Sequence, residues 1–298
     1  MQKILQDFVG IYKDRVDEAI AREFDLRLKE AREISPHLTP ILEAMQELSV
    51  GGKRLRAMLV ILGYELSGAK VNDSVIRSAA MMEIFHLGLL IQDDFMDRDE
   101  IRRGVKTIIA RYPDRHVGNF ISMLAGDYTF GWCIEVLSNL KSPITNSQIL
   151  NAMRVWGKYF TRVGYGQTLD GLAIADEATI LQILELKSGE YTCVLPLELG
   201  ATLGDAQHAL VKQLREYGMQ LGWVFQLRDD WLAEYGDTSK TGKPVGNDSR
   251  EGKRSFATLR GKEATEQAIS EHMQLAVEIA VGNPILLALV EWVGTRDH

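Results

Sequence analysis

The chain has 298 residues, 46% of them apolar and 25% charged, and 34 Lys and Arg against 41 Asp and Glu give a net charge of −7. That fits a folded globular chain of one large domain or two ordinary ones and excludes collagen-like, low-complexity and long disordered sequences. The acidic balance argues against a nucleic-acid binder, whose phosphate affinity is built from clustered, surplus Lys and Arg.

The N-terminal MQKILQDFVGIYKDR has no unbroken apolar core and no small-residue cleavage site, so it does not read as a secretory signal. Thr39 with Pro40 opens a helix, proline being tolerated in the first turn. Asn72-Asp73-Ser74 opens another, along which Val75, Ala79, Met82, Phe85 and Leu89 recur every three or four residues. Asn146 and Ser147 introduce a third segment with Ile149, Met153, Trp156 and Phe160 at helical spacing, and Gly204-Asp205 a fourth from about Ala206 to Leu232. Glu234 to Arg254 reads as a polar loop, and the apolar stretch from Ala276 to Gly294 is broken by Glu278, Asn283, Pro284 and Glu291, which makes a poor membrane span. Cys133 and Cys193 stand sixty residues apart without a paired motif, which suits a reducing cytoplasm better than a disulfide scaffold or zinc site.

Sustained period-two alternation is missing, and neither linker nor internal repeat divides the chain. The sequence therefore predicts one all-α domain over residues 1–298, a multi-helix bundle in which segments such as 73–91 are buried on several sides, with no stable membrane insertion.

Two acidic helix ends carry the first chemical signal. Asp93 and Asp97, in Gln92-Asp93-Asp94-Phe95-Met96-Asp97, are four residues apart, so both carboxylates project from one helical face. Acids at the negative end of a helix dipole are unfavourable without a compensating cation. They suit a hard divalent ion such as magnesium, which uses one or two carboxylates plus substrate phosphates; a solvated acidic end is the plainer alternative. Asp229 and Asp230, after Phe225-Gln226-Leu227-Arg228, close a second apolar helix and could face the first across a bundle interior. Basic residues lie beside glycines: Gly51-Gly52-Lys53-Arg54-Leu55-Arg56, with Lys53 and Arg56 expected in the first turn of the next helix, then Arg102-Arg103-Gly104, Lys187-Ser188-Gly189, Gly242-Lys243-Pro244 and Gly252-Lys253-Arg254. Together they suggest phosphate chemistry without a Walker motif.

In order and spacing, GGKRLR, HLGLLIQDDFMDRDEIRRG, LAGD, LKSG, FQLRDD and GKPVGNDSREGKRS resemble the trans-isoprenyl diphosphate synthases of the polyprenyl synthetase family, from about Gly51 to Leu259. The resemblance implies an all-α bundle around a deep central cavity, usually a homodimer, that condenses isopentenyl diphosphate head-to-tail with an allylic diphosphate. It implies three magnesium ions held with the allylic diphosphate by Asp93, Asp97 and Asp229, supported by Asp94 and Asp230. It also implies Arg102, Lys187, Ser188, Gln226, Lys243 and Lys253 on that diphosphate, and Lys53, Arg56, His86 and Arg103 on the isopentenyl diphosphate. Ser188 stands where the family commonly has Thr, and Ala233 where the second motif usually has a third acid.

The resemblance also implies a product length: in the family the residues one and two turns before the first Asp line the path of the growing chain, a turn covering about 5.4 Å, and short fifteen-carbon enzymes of the eukaryotic type place bulky aromatics four and five residues before it. Gly88 and Leu89 leave the first gate open, whereas Phe85, with Phe130 and Trp132 on the LAGD helix, would close the path one turn deeper. The expected product is the twenty-carbon geranylgeranyl diphosphate, with farnesyl or longer products as the alternative. A terpene cyclase would not need Lys53, Arg56 and Arg103, and a non-catalytic subunit would be expected to have lost more of its acids.

Overall fold

The computed structural model describes residues 2–174, 176–236 and 255–296. The chain begins with α1 (Gln2–Ile34), turns through a short 3-10 segment at Pro36–Leu38 onto α2 (Thr39–Ser49), and passes the Gly51-Gly52 turn into α3 (Leu55–Leu66). α4 (Asp73–Asp97) is capped by Asn72, whose side chain accepts from the Val75 N–H, a contact worth about 1 kcal/mol. Most of α4 is buried, with Val75, Ala79, Met82 and Phe85 inside, so its apolar circumference packs against α1, α3 and the next long helix, α5 (Arg115–Ser138). α4 is long and apolar enough to cross a membrane by composition alone, but its apolar window is mostly covered by protein.

α6 (Asn146–Gly171) is opened by Thr145, which forms a capping box with Gln148. α7 (Glu177–Ile183) runs into an eleven-residue π-helical segment, Leu184–Val194, and then α8 (Leu195–Leu203). The helix expected from Ala206 begins two residues later as α9 (His208–Tyr235). α10 (Phe256–Arg260), α11 (Lys262–Ala280) and α12 (Pro284–Thr295) follow, the last two packing on α9. α9 approaches the π-helical segment so closely that a Cβ on Gly222 would lie 2.5 Å from the Ser188 carbonyl oxygen. Only glycine fits there without displacing backbone.

One element departs from the all-helical expectation. β1 (Ile101–Arg102) and β2 (Val105–Lys106) form an antiparallel hairpin in which Arg102 pairs with Val105. Arg103 (φ 52°) and Gly104 (φ 82°) supply the two positive φ values that a two-residue type I′ turn requires. Two paired residues per strand are too few for alternation to register in the sequence. Thr107 pins the hairpin to the end of α4, its N–H donating to the Glu100 carbonyl and its hydroxyl to the Asp99 carbonyl.

Candidate active site

A cavity of about 810 Å³ opens between the ends of α4, α6, the π-helical segment and α9. Asp93 and Asp97 reach it from α4, Gln167 and Asp170 from α6, Lys187 and Ser188 from the π-helical segment, and Gln226 and Asp230 from α9. The Asp93–Asp97 pair faces it because four residues carry α4 through little more than one turn. Gln167 donates to Asp93 at 3.0 Å, while Lys187 pairs with Asp170 at 2.6 Å. Ser188 donates to Gln226 at 2.6 Å, and Gln226 in turn donates to Asp230 at 2.8 Å, which also accepts from the Phe256 N–H. Gln167 and Asp170 belong to this constellation although no motif marks them.

The two second acids divide differently from the expectation. Asp94 turns inward: its side chain is 2% exposed and accepts from Arg102 Nε at 2.5 Å, so it does not line the cavity. Burial pushes its carboxyl up to about 6 against the pull of Arg102, and its Oδ2 is buried without a hydrogen-bond partner. Arg102 is thereby engaged on the protein's own acids, with Asp93 also 3.9 Å away. On α9 it is Asp230 that faces the cavity. Asp229 turns instead to Arg296, whose guanidinium donates to it at 2.6 Å and to the Phe225 carbonyl at 2.8 Å. The recess raises the Asp229 carboxyl by desolvation, while Arg296, then Lys53 and Arg56, draw it back. Arg296, 8% exposed and stacked 3.9 Å from the Phe225 ring centroid, has no motif around it in the sequence.

A second group of cations gathers beside Asp229. Lys53 does not begin a helix: Arg54 takes a left-handed conformation (φ 53°) and α3 starts only at Leu55. Lys53 lies over the Trp292 ring at 5.3 Å, and burial, then Arg296, lower its pKa while Asp229 opposes. Arg103 lies against the bare Cα of Gly52, where a Cβ would be 3.6 Å from the guanidinium. Arg56 donates to Thr192 at 2.9 Å and lies over the Tyr191 ring, while His86 Nδ1 is 2.9 Å from the Tyr191 hydroxyl. Burial, then Arg56, Arg103, Arg102 and Arg54, push His86 well below the ordinary imidazole pKa, so it is neutral at pH 7. Beneath them Arg54, paired with Asp17 at 2.6 Å and the Ser49 carbonyl at 2.8 Å, fixes the Gly51-Gly52 turn.

Below the carboxylates, Phe85 is fully buried among Phe130, Trp156, Phe160 and Tyr191, with centroid separations of 5.6, 5.2, 5.3 and 5.7 Å. Two of the expected length-setting residues do not belong to this layer. Gly88 faces α5, where a Cβ would lie 1.9 Å from Thr129 Oγ1, so its smallness serves helix contact rather than an open path. Trp132 turns the other way, onto Phe24 and Arg27 of α1. Leu89 is half-buried against the core. Lys243 and Lys253 lie outside the described residues.

Could this donor set hold magnesium? Among the described residues no three His, Cys, Asp or Glu side chains converge tightly enough to enclose an ion unaided. That suits an ion which takes one or two protein carboxylates and completes its shell with water and phosphate oxygen. Asp93 and Asp97 supply such carboxylates at the cavity wall.

The sequence profile of the family described as Polyprenyl synthetase matches residues 39–279. A geranylgeranyl diphosphate synthase of Saccharolobus solfataricus is 31% identical over 224 residues, 73% of this chain and 65% of that protein. A geranylfarnesyl diphosphate synthase of Aeropyrum pernix is 34% identical over 71% of this chain and 67% of its own length. The chain thus spans just under two thirds of the Saccharolobus protein. Among solved structures, a geranylgeranyl pyrophosphate synthase of Corynebacterium glutamicum, determined with isoprenyl diphosphate and magnesium, superposes with a TM-score of 0.84 at 25% identity, covering 98% of this chain and 99% of its own.

Proposed function

Because the chain belongs to the polyprenyl synthetase family, we propose that it is a magnesium-dependent trans-prenyltransferase that joins isopentenyl diphosphate head-to-tail to an allylic diphosphate. The observation that carries this is the pairing of two polar sites: the carboxylate-lined cavity under α4 and α9, and the cluster of Lys53, Arg56, His86 and Arg103 beside it. One suits a metal-bound diphosphate, the other a bare one.

Asp93 and Asp97 would hold magnesium, with Asp230 from the facing helix; Asp229 would be a further ligand only if its pairing with Arg296 were given up. Asp94 acts through Arg102. When bound, magnesium contributes positive charge against the charge that develops on the departing diphosphate. Lys187, Ser188, Gln226 and Arg102 orient the allylic diphosphate, with Lys243 and Lys253 as further candidates. Its C–O bond breaks, and the isopentenyl double bond attacks the allyl cation to form the new C–C bond. The resulting cation loses a proton to the released diphosphate, so no enzyme base is required.

Phe85, one turn below Leu89, supports geranylgeranyl diphosphate as product. The reading takes residues 1–298 as one cytoplasmic domain and the working unit as a homodimer, for which the apolar side chains exposed on α5, Phe120, Met123, Leu124 and Ile134, offer a face. Calorimetric titration of farnesyl diphosphate with and without magnesium tests the central assignment. Binding should require magnesium and be lost in Asp93→Ala; equal binding in its absence would refute the metal clamp.

A further inference from the structure

We infer that Tyr191 is a positioning residue that fixes the tautomer of His86, so that His86 presents an N–H toward the isopentenyl diphosphate; this rests on the reading of Lys53, Arg56, His86 and Arg103 as that substrate's site. The Tyr191 ring is 5% exposed and held by Phe85, 5.7 Å away, so the direction of its hydroxyl is set by packing. That oxygen is 2.9 Å from Nδ1 of His86. On its other side the Arg56 guanidinium lies 4.8 Å from the ring centroid, fixed by its bond to Thr192.

The polarity of this chain follows from which groups can donate. A guanidinium carries donors and no acceptor, so its charge attracts the lone pairs of the phenol oxygen and turns the phenol proton toward Nδ1. Burial keeps the Tyr191 hydroxyl protonated and the His86 ring neutral. In a neutral imidazole one nitrogen accepts and the other donates. With Nδ1 accepting from Tyr191, the proton of His86 resides on Nε2. An Nε2–H is a donor for a phosphate oxygen, whereas the opposite tautomer would turn a lone pair toward an anion. The groups facing His86 fit this arrangement: Arg54, Arg56, Arg102 and Arg103 favour a bound anion, and Glu83, which shares a small void with His86, accepts from the Ala57 N–H and lies 3.8 Å from Arg54.

Tyr191→Phe keeps the ring and removes the hydroxyl. Nitrogen-15 spectra of the full-length wild-type protein with labelled histidine should show His86 protonated at Nε2 and unprotonated at Nδ1, and the variant should show a mixture of tautomers. In steady-state assays the variant should raise the KM for isopentenyl diphosphate by the inverse of the fraction of His86 that the same spectrum shows as the Nε2–H form, while kcat and the allylic KM stay at their wild-type values. A wild-type proton on Nδ1, or an imidazolium at neutral pH, would overturn the inference, as would an unchanged KM in the variant. Should wild-type protein fail to incorporate isopentenyl diphosphate at all, the substrate reading fails, and the nitrogen-15 spectrum still decides the tautomer.

Discussion

Replacing Phe85 by alanine removes the ring on which Phe130, Trp156, Phe160 and Tyr191 converge. Phe85 precedes Asp93 by eight residues, which at 1.5 Å per residue places it about 12 Å below the carboxylate, one turn deeper than Leu89. The truncation opens that layer, and the next closure along α4 is Met82, about 4.5 Å further down. The products should therefore lengthen by about one isoprene unit, whose extended main chain is comparable with one helical turn. Ligand-free stability should fall by about 3–5 kcal/mol. With an unfolding entropy of roughly 0.6 kcal/mol/K for a chain of this length, that is a drop in Tm of about 5–8 °C. Reversed-phase chromatography of the dephosphorylated products, beside a thermal melt, reads both effects. Trp132→Ala is the control, because that ring packs on α1 and should lower stability without changing length. If Phe85→Ala melts earlier but its products are unchanged, Phe85 is core packing alone and the floor lies elsewhere.

Asp97→Ala should lower kcat/KM by roughly 10²–10³-fold, the scale for losing one preorganised electrostatic contact, and Asp229→Ala should also reduce turnover; unchanged turnover in Asp229→Ala would exclude that residue from the metal site. Asp17→Asn tests the support of the Gly51-Gly52 turn. Burial raises the Asp17 carboxyl, but hydrogen bonds and charge from Lys13 and Arg54 outweigh it and leave the pKa below normal. Its stabilisation is therefore present above the unfolded carboxylate pKa and is lost as pH falls through the lower folded value. Urea titration should show a cost of about 1–3 kcal/mol at pH 7 that shrinks toward pH 3, and a pH-independent cost would contradict the ion pair. Gly222→Ala should cost about 1–3 kcal/mol by overpacking and lower turnover by displacing Ser188; a variant with wild-type melting and activity would show that the backbone yields there.

Local spacing made much of this legible. Asp93 and Asp97 share a face because of helical geometry alone, and the Asn72 cap and the buried character of α4 were present in the pattern of residues 72–91. Contributions set by tertiary packing were not. Gln167 and Asp170 reach the cavity because α6 ends beside α4, and nothing in their own neighbourhood announces it, although their three-residue spacing on a helix end was a usable sign. Tyr191, four residues after Lys187, had a similar sign. Arg296 meets Asp229 only through the docking of α12 on α9. Nor does sequence disclose that Arg54 adopts a left-handed backbone, which delays α3 and leaves Lys53 outside it, or that Gly88 is small to admit Thr129. The split within each acidic pair, with Asp93 and Asp230 outward and Asp94 and Asp229 on arginines, depends on how Arg102 and Arg296 are delivered by a hairpin and a distant helix.

The central claim is most directly tested by incubating the purified chain with magnesium, radiolabelled isopentenyl diphosphate and, in turn, dimethylallyl, geranyl or farnesyl diphosphate. The account predicts acid-labile incorporation into a linear diphosphate, mainly of twenty carbons, abolished by EDTA. Release of diphosphate without incorporation of isopentenyl carbon, or cyclic hydrocarbon from the allylic substrate alone, would contradict it.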